Sequence, residues 1–388
     1  MILPVGSREP AGVCRIDEVL LCSINGSAKC ACRCGSSAFW FRVRAAQNSN
    51  CLCAMWPEIP YEPWRETCSA LRLYAQVVGK YRLARTPWVN HSWHATLYVN
   101  ARGVTTSIIP DGAVGVEIAF DLLDHVIIGA TTDGRKADFP LGSMSVGEFH
   151  ARFLHLIGQL GASPRFDGRP NEVPNPIPFR DDRQARPYDA DAVTRFFQAI
   201  VGINRVLNRF RTGYIGKVSP VHLFWGSFDL AMTRFSGRRA PLHPGGIPAL
   251  PDEVTREAYS HEVSSAGFWP GGGGTDFPAF YSYAYPPPEG FSEALPSPKE
   301  AYFNQGLGEF LLPYEAVRKS SDPETTLMSF LESTYNAAAD LGGWDRDAFE
   351  CPIGEPLRPR PLSTRNLRSQ DHDCLERDTR RTSAEFAR

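Results

Sequence analysis

The side chains that could do chemistry in this sequence gather in and around residues 216–241, GKVSPVHLFWGSFDLAMTRFSGRRAP. The first set is histidine and acid: His222, Asp229, His261 and Glu262, groups that move protons when they are correctly placed. Asp229 stands between Phe228 and Leu230, and a buried carboxylate is costly unless it is paired and hydrogen-bonded. Arg234 and Arg238 are its nearest candidate partners along the chain. With His91 and His94, the residues His222 and His261 also form a weak candidate metal set. No HExxH or HxH spacing supports it. His91 and His94 would share a face only on a helix, and they precede a strand pattern instead. Neither a metal nor a cofactor is therefore expected.

The second set is basic: Lys217, Arg234, Arg238 and Arg239, beside Trp225 and the glycine turns at 245–246 and 271–274. Guanidinium groups and glycine backbone suit a carboxylate or phosphate. The P-loop and dinucleotide fingerprints are absent, so a small anionic molecule is expected rather than a nucleotide. The plain alternative pairs Arg234 with Asp229 and leaves the other arginines in solvent. The third set is aromatic. Tyr281, Tyr283 and Tyr285 share one strand face, with Trp225, Phe268 and Trp269 elsewhere. Such a face can bind a sugar, and it can equally be core. A serine nucleophile is disfavoured: GxSxG is missing, and Ser260-His261-Glu262 is local where triads are assembled from distant positions.

The elements that must hold these groups follow from periodicity. Residues 62–84 place Trp64, Leu71, Tyr74, Ala75, Val78 and Tyr81 at helical spacing. From Ala95 short alternating runs are split by Arg-Gly and Asp-Gly turns, which predicts an antiparallel meander. A helix over 145–160 opens on a capping box, Ser145 with Glu148. Residues 163–188 read as a polar connector. A helix over 190–211 then leads to a long strand, Val221 to Phe235, with Gly226 as a bulge or bend. Its alternation sets Trp225, Ser227, Asp229, Ala231, Thr233 and Phe235 on one face, opposite Leu230, Met232 and Arg234. Further strands carry AYSHEV, FPAFYSYAYP and EFLLPYEAV, the last at an edge because of Pro313. Asp322-Pro323 opens a final helix over 323–341.

Each half repeats an order: helix, Gly-Lys, proline, histidine, tryptophan, strands, helix. That order points to an internal duplication, with chance likeness as the alternative. The expected fold is α+β, with antiparallel sheets and helices on one face. The expected layout is a half over 55–170, a connector over 171–188 and a second half over 189–350.

With 388 residues, 43% of them hydrophobic and 22% charged, the chain can bury a core without metal or disulfide. A net charge of −2 offers no electrostatic case for nucleic acid or an anionic membrane. Most of the ten cysteines precede residue 54, where CxCxC lacks the usual zinc spacing. Residues 1–54 therefore read as leader sequence from a start placed too early, and residues 351–388 as a disordered tail. The remaining cysteines suit a reducing cytoplasm.

The central segment, AYSHEVSSAGFWPG (258–271), EFLLPYEAVR (309–318), WPEIPYEPW (56–64) and NHSWH (90–94) resemble a bacterial family of unknown function, DUF5996, over about residues 55–350. The resemblance implies no activity and no catalytic residue. The expected function is a cytoplasmic small-molecule enzyme or binder with an anion-accepting pocket near the central strand. The alternative is a carbohydrate-binding or protein-interaction module using the tyrosine face.

Overall fold

The computed structural model describes residues 55–272 and 274–360, and before them the backbone of three strands. Those strands, β1 (Cys22–Ile24), β2 (Ser27–Cys34) and β3 (Ser37–Phe41), pair antiparallel in the order β1-β2-β3 as a unit of their own. The readings of leader and tail sequence fall largely outside the described residues. Where they meet, residues 351–360 are not free of the fold. The Cys351 amide donates to the Gly213 carbonyl, and the Gly354 amide donates to Thr212 Oγ1.

The second unit begins with α1 (Tyr61–Leu83), entered from Pro60. Every apolar residue expected on its inner face is buried, Trp64 and Tyr74 among them. A sheet follows, built of β4 (Tyr98–Val99), β5 (Gly103–Thr105), β6 (Ile109–Asp111), β7 (Val114–Asp121), β8 (Val126–Thr131) and β9 (Lys136–Pro140). β5 and β6 line one edge of β7 in succession, as two pieces of one interrupted strand. The order is thus β4-β5-β7-β8-β9, a meander. α2 (Val146–Gln159) closes this half, with Ser145 capping the Glu148 amide at 3.1 Å.

The connector leads to α3 (Ala190–Thr212), capped by Asp189. Then come β10 (His222–Phe224) and β11 (Asp229–Arg239). The stretch expected as one bent strand is a hairpin: Trp225–Phe228 turn, with Phe228 at φ 61°, and Phe224 pairs with Asp229. β12 (His261–Trp269), β13 (Ala279–Tyr285), β14 (Tyr302–Asn304) and β15 (Glu309–Pro313) complete the order β10-β11-β12-β13-β15-β14.

Two expectations change here. AYS does not enter the strand with HEV, because Ala258 ends a short helix, α4 (Asp252–Ala258). β15 is not an edge, because β14 lies outside it. Pro313 is tolerated because it is the last residue of the strand. α5 (Tyr314–Arg318), α6 (Pro323–Leu341) and α7 (Arg346–Phe349) follow. The fold is α+β with antiparallel sheets. Helices α3 and α6 cover one face of the second sheet, where the Arg234 guanidinium lies over the rings of Phe210 and Tyr335 at 3.6 and 4.3 Å.

The halves share more than an order of signals. Each sets helix, five-strand meander and helix in sequence, with β14 an addition to the second. They meet at equivalent places: Leu97, just before β4, and Leu223 in β10 exchange both backbone hydrogen bonds, at 2.9 and 2.8 Å. That exchange is the ordinary geometry of a hydrogen-bonded antiparallel pair, and it ties the start of one sheet to the start of the other.

Candidate functional site

The other face of the second sheet forms the wall of a cavity of about 900 Å³. Its floor obeys the period of two. β11 contributes Asp229, Ala231, Thr233 and Phe235; β12 contributes Val263, Ser265 and Trp269; β13 contributes Tyr281 and Tyr283; β15 contributes Glu309. Opposite the sheet, Lys80 of α1, the connector around Asn171 and Glu172, the loop into α4 (Ile247, Leu250) and Val254 of α4 itself close the space.

One end of the cavity is acidic. Asp229 is 5% exposed, and both its oxygens accept hydroxyl donors, Ser227 on one and Tyr281 on the other. Gly267 makes the second contact feasible, since a Cβ there would meet the Tyr281 hydroxyl and the Leu230 carbonyl at 2.5 Å. Tyr283 is tied to the Tyr259 hydroxyl at 2.8 Å, and Thr233 to Ser265 at 2.8 Å. Glu172 comes down from the connector and packs its carboxyl on Gly226, where any Cβ would collide with it. Glu309 brings a third carboxyl, whose Oε2 is enclosed without a hydrogen-bond partner among the described residues.

Burial dominates the electrostatics. It raises the Asp229 carboxyl, against the hydroxyl donors and Arg72, which pull it down. Burial, reinforced by Asp229, pushes Glu172 up to about 7 and Glu309 up to about 8. Three acids in one low-dielectric space do not all ionise at neutral pH. Arg72 does not relieve them by pairing: Nε donates to the Gly226 carbonyl at 2.6 Å, and Nη2 to the Glu172 carbonyl at 2.8 Å.

At another part of the wall lies His91, buried and at φ 59°, a backbone region that histidine rarely occupies. Its ring neighbours Phe235 at 4.5 Å and Trp93 at 5.3 Å.

The expected site residues separate. Asp229 and Trp225 line the cavity, and the Trp225 indole donates to the Ala95 carbonyl at 2.5 Å. Arg234 does not pair with Asp229. Five residues apart on one strand, they face opposite sides, and Arg234 donates to the Phe210 carbonyl at 2.6 Å. Arg238 is held by Glu262 at 2.7 Å and by the Gly342 carbonyl at 2.5 Å, and Arg239 is exposed at the strand end. Glu262 also accepts from Ser236 at 2.7 Å, so it belongs to that outer pair.

His222 is fully buried in β10, where burial pushes its imidazole down to about 4. His94 is buried against Trp88, 4.6 Å away. His261 lies 6.3 Å from His91, ring to ring. Among the described residues no group of three or more His, Cys, Asp or Glu could hold a metal ion, so the four histidines do not converge on one. Tyr281 and Tyr283 stack at 6.1 Å inside the cavity rather than on an open face, and Trp269 stacks on Tyr281 at 4.4 Å. Phe268 faces the other way, 5.3 Å from Phe280.

Glu172, Tyr259 and Glu309 were missed. Glu309 had a readable signal, because it continues the alternation of Leu311 and Pro313. Glu172 had none, lying in an irregular loop.

No helix among the described residues is long and apolar enough to cross a membrane. No curated protein and no solved structure matches the chain. A family does match, over residues 56–351, and on that match the chain belongs to DUF5996, a family of unknown function.

Proposed function

We propose that this protein is a small-molecule enzyme or binder, and that its ligand carries a cationic nitrogen group into the carboxyl end of the cavity. The observation that supports this reading is the presence of Glu172, Asp229 and Glu309 together at one end of the cavity, with no ion pair to any of them among the described residues. An ammonium or amidinium group there would gain charge-assisted hydrogen bonds. It would also lie among the faces of Tyr281, Tyr283 and Trp269, whose quadrupoles attract cations. An anionic ligand is less well served, because Arg234 and Arg238 are committed elsewhere, and Arg239, exposed at the strand end, does not line the cavity. A cytoplasmic location is part of the proposal. It is supported by the two thiols Cys68 and Cys351, which are free of each other.

The test is calorimetric titration of primary amines and amidines in two buffers of different ionisation enthalpy. A cation should drive Glu172 and Glu309 to ionise, so binding should release protons, and affinity should rise roughly tenfold per unit between pH 6 and 8. Asp229→Asn should abolish it. A second reading, a carbohydrate, rests on the stacked Trp269–Tyr281 pair and on protonated carboxyls able to donate. Neutral sugars that bind without proton release, while amines do not bind, would overturn the first reading in favour of the second.

A further inference from the structure

Beside the cavity, away from the carboxyl cluster, the Lys217 ammonium reaches the Nε2 atom of His91 at 2.6 Å. The His91 tautomer is set by its other nitrogen. Nδ1 lies 2.5 Å from the Ala258 carbonyl, which can only accept, so Nδ1 carries the proton and Nε2 presents a lone pair to Lys217. The backbone fixes the ring as well: the His91 amide donates to Glu257 Oε2 at 2.9 Å, and both His91 and Ser92 are held at positive φ. Lys217 itself has no carboxylate within ion-pair distance among the described residues. It stands over the rings of Phe235 and Trp93 at 4.7 and 5.5 Å, both of which line the cavity.

An amine in reach of a base, with the base oriented by a third group, is the arrangement of an activated nucleophile. We propose that Lys217 is a nucleophile that condenses with the carbonyl group of an aldehyde or ketone, with His91 as its base. His91 Nε2 takes a proton from the ammonium, leaving a free amine. The amine nitrogen attacks the carbonyl carbon, the C–N bond forms, and the carbonyl π pair moves to oxygen. His91 returns the proton to that oxygen, the second amine proton is lost to solvent, and the carbinolamine expels water. The products are an imine and one water, and nothing is oxidised or reduced.

The surroundings favour the free amine. Partial burial lowers the lysine against the opposing pull of the Glu257 carboxylate, although the residue keeps contact with solvent; burial also lowers His91, which keeps its imidazole neutral at pH 7 with Nε2 free to accept. These groups, Glu257, His91 and His261, are the titratable ones that face the lysine. The inference does not depend on the cationic ligand, which concerns the opposite part of the wall.

The test uses the full chain with pyridoxal as the aldehyde and cyanoborohydride to trap the imine, followed by peptide mass mapping at neutral pH. Lys217 should be labelled severalfold faster than Lys136, Lys299 and Lys319, which are exposed as it is, since a lowered pKa leaves more of the amine free at neutral pH. Its rate should reach half-maximum at lower pH than theirs. His91→Asn, which tolerates positive φ, should return Lys217 to the rate of the other lysines, with an unchanged far-ultraviolet circular dichroism spectrum showing that the variant is folded. Equal labelling of all four lysines in the parent would overturn the proposal. Fast labelling that survives His91→Asn would overturn the part given to His91.

Discussion

Asp229 shows what a single position on a strand decides. Its neighbours Phe228 and Leu230 mark it as an acid in apolar surroundings, and alternation puts it with Ala231, Thr233 and Phe235 on what proves to be the cavity wall. The same alternation rules out Arg234 as its partner, since an odd separation on a strand means opposite faces. The sequence thus carried the correct facing, and proximity along the chain suggested the wrong pair. What alternation cannot show is that Glu172 arrives from a loop, so the charge of the site, which depends on all three acids, stayed hidden.

A pH prediction belongs at this scale. Glu172 and Glu309 hold their protons up to about 7 and about 8 when folded and lose them near the ordinary carboxyl value when unfolded. In the interval between, the unfolded state binds fewer protons, so stability falls as pH rises. His222, pushed down to about 4, acts in the opposite sense below about 6.5 and is neutral in both states above it. Between pH 6.5 and 8.5 the melting temperature of the ligand-free protein should therefore decline, by the equivalent of roughly 2–3 kcal/mol. Glu309→Gln should flatten that decline. A parent that gains stability across this window would show that the carboxyls are not held protonated.

Among the elements, the helices were the most legible. Ser145 caps α2, Asp189 caps α3 and Asp322 caps α6, as their side-chain chemistry requires. The hairpin β10–β11 was not, because its turn, Trp225–Phe228, has one glycine and two bulky aromatics in place of Asn-Gly. Tertiary contacts hold that turn instead: Trp225 packs against Gly79 of α1, and Arg72 binds the Gly226 carbonyl. Strands β12 and β13 have a stricter requirement. The Tyr281 side chain must cross Gly267 to reach Asp229, with the Leu230 carbonyl equally close on the other side. Gly267→Ala overpacks that crossing and should cost about 1–3 kcal/mol. It should also weaken amine binding, because the hydroxyl that orients Asp229 is displaced. The check is paired thermal melts and titrations of parent and variant. A variant that melts and binds like the parent would mean that the strands can shift at no cost.

At the scale of the whole molecule, two halves of like order are joined where their first strands meet. The contacts there are short-range and directional: the reciprocal Leu97–Leu223 hydrogen bonds and the Trp225 indole on the Ala95 carbonyl. The cavity depends on the same seam, because its wall is the second sheet while Lys80, His91 and Trp93 come from the first half. One continuous buried cluster runs through both, from Trp64 and Tyr74 to Phe268 and Tyr335. Neither half can therefore open without exposing the core of the other, and residues 55–360 should unfold in one transition. Tryptophan emission and far-ultraviolet circular dichroism should give coincident urea curves. Trp225→Phe removes one buried hydrogen bond and leaves the Ala95 carbonyl unsatisfied, which should cost about 1–3 kcal/mol. Because the seam is shared, the loss should move the single transition to lower urea with an unchanged slope. A second transition, or a curve in which emission changes before helix content does, would mean that the halves fold independently and that the cavity between them is assembled by docking.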